Sequence, residues 1–155
     1  MSKIDLATRT IVKSVTFPAG SKPYMLRVSH DGKEVWVQTG GANTNVVLSV
    51  DDLSTLATEP VGKSPITNAW SLDGRYSFIT HANDSFVSVF DAKTYKELKR
   101  LNVGAGSTSI GFTEDGKTAF VTVTGTNTVA VIDLARLEVV DQLKAGQQPQ
   151  GLILL

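Results

Sequence analysis

Cysteine is absent from the 155 residues. With it go disulfides, thiolate zinc sites, iron–sulfur clusters and covalent attachment of a c-type haem. An excess of charge is missing too, since fifteen Lys and Arg balance fifteen Asp and Glu. A chain without net charge lacks the electrostatic footprint of a general nucleic-acid binder, and it does not repel its own copies. No apolar run approaches the roughly 18 residues of a membrane span. The opening MSKIDLATRT has no apolar stretch of the kind a secretory leader carries. These absences predict a globular chain with no nucleic-acid partner, no membrane span and no signal peptide. Sustained helical periodicity is lacking as well.

What is present is a period. Glycines fall at Gly20, Gly62, Gly104 and Gly146, each 42 residues after the last. Asp-Gly pairs follow the same interval at Asp31-Gly32, Asp73-Gly74 and Asp115-Gly116. Asp91 and Asp133 close the apolar runs FVSVFD and TVAVID, and in the first repeat VVLSVD ends on Asp51, displaced by two. The longer loop GGANTN is expected to supply that displacement. Each repeat holds four short runs rich in Val, Ile, Phe and Thr, divided by turn residues. In the third they span 107–113, 118–124, 128–133 and 138–144, here strands a to d. Four-stranded antiparallel units at 40–50-residue spacing are the sequence signature of propeller blades.

The stretch PITNAWSLDGRYSFITHANDSFVSVFDAKT resembles the YVTN-type β-propeller repeat, whose pattern runs P-x-G-x-A-x-S-P-D-G, then Y-V-T-N, then V-S-V-I-D-x-x-T. Leu72 stands where that pattern has proline, and FITH and FVTV replace Y-V-T-N. The resemblance covers the whole chain and implies the fold. It constrains function less, because the family includes surface-layer proteins, redox-enzyme subunits, haem-binding domains and lactonase-like enzymes. Its lean towards periplasmic or secreted proteins is likewise an implication of resemblance alone.

The expected architecture is an all-β propeller of about 3.7 blades, with full blades at 20–61, 62–103 and 104–145. Residues 1–19 align with strands c and d of a composite blade. Residues 146–155 align with a strand a, so that Leu152 matches Ile110 and Leu154 matches Phe112. Strand b of that blade is missing. Two arrangements would cover the apolar tail: a ring closed by two chains, or a longer propeller of which this sequence is a piece.

In propellers the d–a and b–c loops share one face, and there the sequence gathers Lys22, Tyr24, Asn43, Lys63, His81, Asn83 and Gln147, with Asn45, Asp84, Asn127 and Gln148 beside them. These are the expected ligand-binding residues. His81 is the most versatile chemically, as a proton carrier or metal ligand. It has no second His nearby, however, for His30 sits in an a–b turn on the opposite face, which argues against a two-His metal centre. Asp51, Asp91 and Asp133 suggest turn caps rather than a carboxylate ring. Trp36 and Trp70 occupy positions that are apolar in every repeat and read as core. VGKSP lacks the first glycine and the following helix of a phosphate loop. Asn83-Asp84-Ser85 is formally a glycosylation sequon, meaningful only in a eukaryotic secretory setting. The charged run KTYKELKR fits an outer edge strand defended against aggregation. No nucleophile–base motif occurs, so the residues call for no cofactor and no metal. They favour a non-catalytic binding or scaffold module with a small-molecule or protein partner on the loop face. The alternative is part of a larger propeller enzyme or cofactor domain, haem-binding or lactonase-like.

Overall fold

The computed structural model describes residues 1–152. Its fourteen strands form four antiparallel sheets in which sequence neighbours pair. β1 (Ser2–Asp5) and β2 (Thr10–Ser14) make a two-stranded sheet. Blade 1 comprises β3 (Pro23–Val28), β4 (Glu34–Thr39), β5 (Thr44–Ser49) and β6 (Thr55–Pro60). Blade 2 comprises β7 (Pro65–Trp70), β8 (Tyr76–His81), β9 (Phe86–Asp91) and β10 (Glu97–Asn102). Blade 3 comprises β11 (Ser107–Phe112), β12 (Thr118–Val123), β13 (Thr128–Asp133) and β14 (Glu138–Lys144). The fold is an open β-propeller, with β3, β7 and β11 adjacent along its inner side.

Each a–b hairpin is held by the same device. The hydroxyl of Ser29, Ser71 or Thr113 donates to Asp31, Asp73 or Asp115 at 2.6–2.7 Å, and the same aspartate accepts the backbone N–H two residues on. The glycine that follows adopts φ of +67° to +75°, a region closed to most side chains, which explains the fixed Asp-Gly pair. Hydroxyl donation, reinforced by the backbone bond, holds all three carboxyls below the usual range.

The c–d turns correct one expectation. Asp5, Asp91 and Asp133 each accept the backbone N–H three residues on, from Thr8, Thr94 and Arg136. The residue after that is left-handed in every case: Arg9, Tyr95 and Leu137. In blade 1 the left-handed residue is Leu53, so the position of Asp91 is taken by Ser49, not Asp51. Strands β3 to β5 lie 42 residues before β7 to β9 without any displacement. Loop GGANTN inserts nothing; Asp52, bonding Ser54, does the capping instead.

The core lies between blades. Phe78, Val87 and Val89 of blade 2 meet Ile110, Ala119, Val121 and Ile132 of blade 3. Trp36 and Val47 meet Ile79 and Phe90 across the seam of blades 1 and 2, where Trp36 packs edge-on to Trp70 with centroids 4.8 Å apart. Burial of side chains this large contributes roughly 1.5–3 kcal/mol each.

Equivalent inner strands have unequal surroundings. Leu26 on β3 is 41% exposed, while its counterparts Asn68 and Ile110 are 0% and 9% exposed. All six residues of β3 are exposed, whereas β7 and β11 show none. At the other end, Thr122 Oγ1 donates to Gln150 O at 3.3 Å, the counterpart of the 3.2 Å bond from Thr80 to Thr108 O one repeat earlier. Of the two apolar residues aligned with strand a, Leu154 lies outside the described residues.

Candidate functional site

The expected ligand face is built from d–a loops passing over b–c hairpins. The backbone turns left-handed at the equivalent positions Lys22, Ser64, Gly106 and Gln148. Asn43 Oδ1 accepts the Ser64 N–H at 2.9 Å, and Asn127 Oδ1 accepts the Gln148 N–H at 2.8 Å. In the middle blade a backbone carbonyl does this work, Asp84 O accepting from Gly106. Each b–c hairpin thereby latches the following loop.

Around Gly62 the latch is densest. The Asp84 carboxylate accepts the Lys63 N–H, and Asn83 Nδ2 donates to Ser64 Oγ at 2.7 Å. The Gly62 N–H donates to His81 Nε2 at 3.1 Å. Because a backbone amide can only donate, Nε2 is the unprotonated nitrogen; Nδ1 carries the proton and donates to Phe86 O at 3.1 Å. His81 is 0% exposed, and burial pushes its pKa down, outweighing the Phe86 carbonyl and the Asp84 charge that favour the cation. It is a neutral imidazole with both nitrogens committed. The expectation that His81 meets a ligand on this face is therefore corrected: it ties a loop to a hairpin within blade 2. Its own N–H, bonded to Ser107 Oγ at 2.9 Å, extends the tie to blade 3.

The remaining expected residues divide in two. Asn43, Lys63 and Asn83 join the latch, the first and last through their side chains. Lys22, Tyr24 and Gln147 are exposed and make no side-chain hydrogen bond among the described residues. Spread over successive loops, the face presents ammonium, phenol and amide groups. That is equipment for binding polar or anionic groups.

The opposite face holds features that sequence reading missed. Two grooves of about 500 and 490 Å³ repeat at the blade seams. The smaller is lined by His30, Glu34, Trp70, Lys93 and Tyr95 among others. Glu34 accepts from Trp36 Nε1 at 3.1 Å and from the Tyr95 hydroxyl at 2.5 Å. The bond to Glu34, with burial, pushes the Tyr95 phenol up to about 12. Tyr95 lies 61 residues from Glu34, and no local pattern announces such a pair. Among the described residues no group of three His, Asp or Glu is placed to hold a metal ion.

No family model matches the sequence, and no curated protein matches it. Solved structures do. Hydrazine synthase of Kuenenia stuttgartiensis superposes with a TM-score of 0.78 at 24% identity, over 89% of this chain and 40% of that one. The periplasmic gluconolactonase PpgL of Pseudomonas aeruginosa superposes with 0.74 at 18%, over 88% and 43%. The WD40 repeats of RRP9 give 0.72 at 17%, over 79% and 38%. The chain thus spans about two-fifths of each neighbour's length. Likeness at these identities shows the fold alone: a β-propeller.

Proposed function

We propose that the chain is a non-catalytic binding or scaffold propeller of the YVTN type, closed into a ring by a second copy of itself. Exposure of β3 carries this reading. Its six residues occupy repeat positions that are covered on β7 and β11 by the preceding inner strand, and Leu26, Tyr24 and Val28 stand 41%, 68% and 51% exposed instead. An inner strand a, supplied by the 146–155 tail of the partner copy, fits that place by the period of the repeat. The composite blades would hold strand a from one copy and β1 and β2 from the other. The ligand face, with Lys22, Lys63, Asn83 and Gln147 around it, then encircles the ring's channel and takes a polar small molecule or a protein loop. The YVTN-type motifs quoted above support the family reading and, through it, a periplasmic or secreted location.

A second reading has an observation of its own. The chain spans only 40% to 43% of hydrazine synthase and the gluconolactonase, so further blades of a longer polypeptide would cover β3. Such a protein falls among propeller enzymes as readily as among scaffolds. Light scattering on a sizing column separates the two. A sharp species at twice 16.6 kDa, lost on Leu26→Asp while the fold persists, supports the two-chain ring. A monomer, or a broad distribution that shifts with concentration, rejects it.

A further inference from the structure

The three blades repeat one backbone, so their seams compare position by position. The seam of blades 2 and 3 is oily. From blade 2 it receives Val87 and Thr80, whose hydroxyl is bonded to Thr108 O; from blade 3 it receives Ile110, Phe112, Ala119 and Ala130. At the same positions the seam of blades 1 and 2 carries Asn45 and Gln38, then Asn68, Trp70, Ser77 and Ser88. Cross-strand pairing puts the latter residues on that seam: Gln38 stands opposite Asn45, Asn68 and Ser88 flank Ile79, and Trp70 pairs with Ser77. Gln38, Asn45, Asn68, Ser77 and Ser88 are all 0% exposed.

These groups satisfy one another only in part. Gln38 Nε2 donates to Asn45 Oδ1 at 3.0 Å, and Asn68 Nδ2 to Ser77 Oγ at 3.3 Å. Among the described residues, five buried side-chain atoms keep no protein partner: Gln38 Oε1, Asn45 Nδ2, Asn68 Oδ1, Trp70 Nε1 and Ser88 Oγ. Every one of them lies on this seam. Re-orienting the Gln38 and Asn45 amides does not help, because a single amide–amide bond leaves one acceptor or donor over on each side whichever way they face. Buried polar atoms in native proteins are nearly always paired, with protein or with ordered water. Two donors, two acceptors and a hydroxyl that can be either are a matched set for water, which makes about three hydrogen bonds when buried.

We infer that the seam between blades 1 and 2 is a buried water-binding site, in which ordered water bridges Gln38, Asn45, Asn68, Trp70 and Ser88. The inference is independent of ring closure. It also makes this seam differ in kind from its neighbour, one joined through water and the other through dry apolar packing.

A high-resolution crystal structure of the full chain tests it first. Density for water within hydrogen-bond distance of at least two of the five atoms supports the site, and a seam without it overturns the inference. In solution, the triple variant Gln38→Thr, Asn45→Val, Ser88→Ala removes both partners of the amide pair and installs Thr, Val and Ala, the residues of the oily seam. If water satisfies these groups, the variant forfeits those bonds and its Tm falls or stays level. A raised Tm means that dry, unsatisfied groups were removed, and overturns the inference independently of crystals.

Discussion

Gly62 and Gly146 occupy one repeat position, and neither adopts a positive φ. Alanine substitution at the two therefore separates packing from backbone effects. A Cβ on Gly62 would stand 2.7 Å from Asp84 Oδ2 and 2.9 Å from both His81 Cδ2 and Phe86 Cζ. A Cβ on Gly146 meets nothing within 4 Å. Relief at Gly62 must push the loop off His81, because the imidazole is enclosed and cannot retreat. Overpacking of this kind costs about 1–3 kcal/mol, and leaving the His81 nitrogen buried without its donor adds roughly 1–3 kcal/mol. The two overlap, so Gly62→Ala is expected to cost about 2–4 kcal/mol, a Tm loss of about 5–15 °C for a chain of this size. Gly146→Ala should be neutral or stabilise by about 0.4–1 kcal/mol through the unfolded chain. Urea unfolding followed by circular dichroism measures both. Equal effects at the two sites would refute the claim that His81, Asp84 and Phe86 form a rigid cradle around Gly62.

Three further outcomes are expected. Unfolded His81 takes its proton near 6.5, and folded His81 only at lower pH. Between the two the unfolded state binds more protons, so stability falls as pH drops below about 6.5; His81→Thr, which installs the residue found at Thr39, should abolish this dependence in an unfolding series. Tyr95→Phe removes the bond to the Glu34 carboxylate and should cost about 1.5–3 kcal/mol. Its removal should also delete from the ultraviolet titration the Tyr95 ionisation near pH 12. Asp91→Ala takes away a turn cap and should lower Tm, while Asp51→Ala should leave it unchanged, since Asp51 accepts no such bond in blade 1; equal losses would restore the displaced alignment.

Position by position, the fold was legible wherever one residue type answers a local demand. Asp-Gly pairs mark the a–b hairpins because glycine adopts the left-handed position at least cost and a short acceptor reaches the hydroxyl two residues before it. Short runs rich in Val, Ile and Phe mark strands because a blade buries both faces. The third repeat's strands c and d, read as 128–133 and 138–144, are β13 and β14. Where local demand was shared by several residue types, the reading slipped. At the position of Asp91 blade 1 has Ser49, whose hydroxyl accepts the Asp51 N–H, so the search for Asp found Asp51 and inferred a displacement that the backbone does not contain.

The candidate face was less legible. Which loops lie together followed from blade order, and Lys22, Tyr24, Lys63, Asn83 and Gln147 are indeed exposed. His81 was not readable, because its role depends on Gly62, nineteen residues away, donating to one ring nitrogen and on Phe86 accepting from the other. By itself the sequence determined the period, the strands, the turns and the absence of thiol and net charge, all properties set within a few neighbouring residues. Tertiary structure alone decided which polar groups are spent on holding the blades together. That includes the Glu34–Tyr95 pair, whose partners come from separate blades, and the partly unsatisfied seam at Gln38 and Asn68, whose burial is supplied by the facing blade, and blades meet only after the chain has folded.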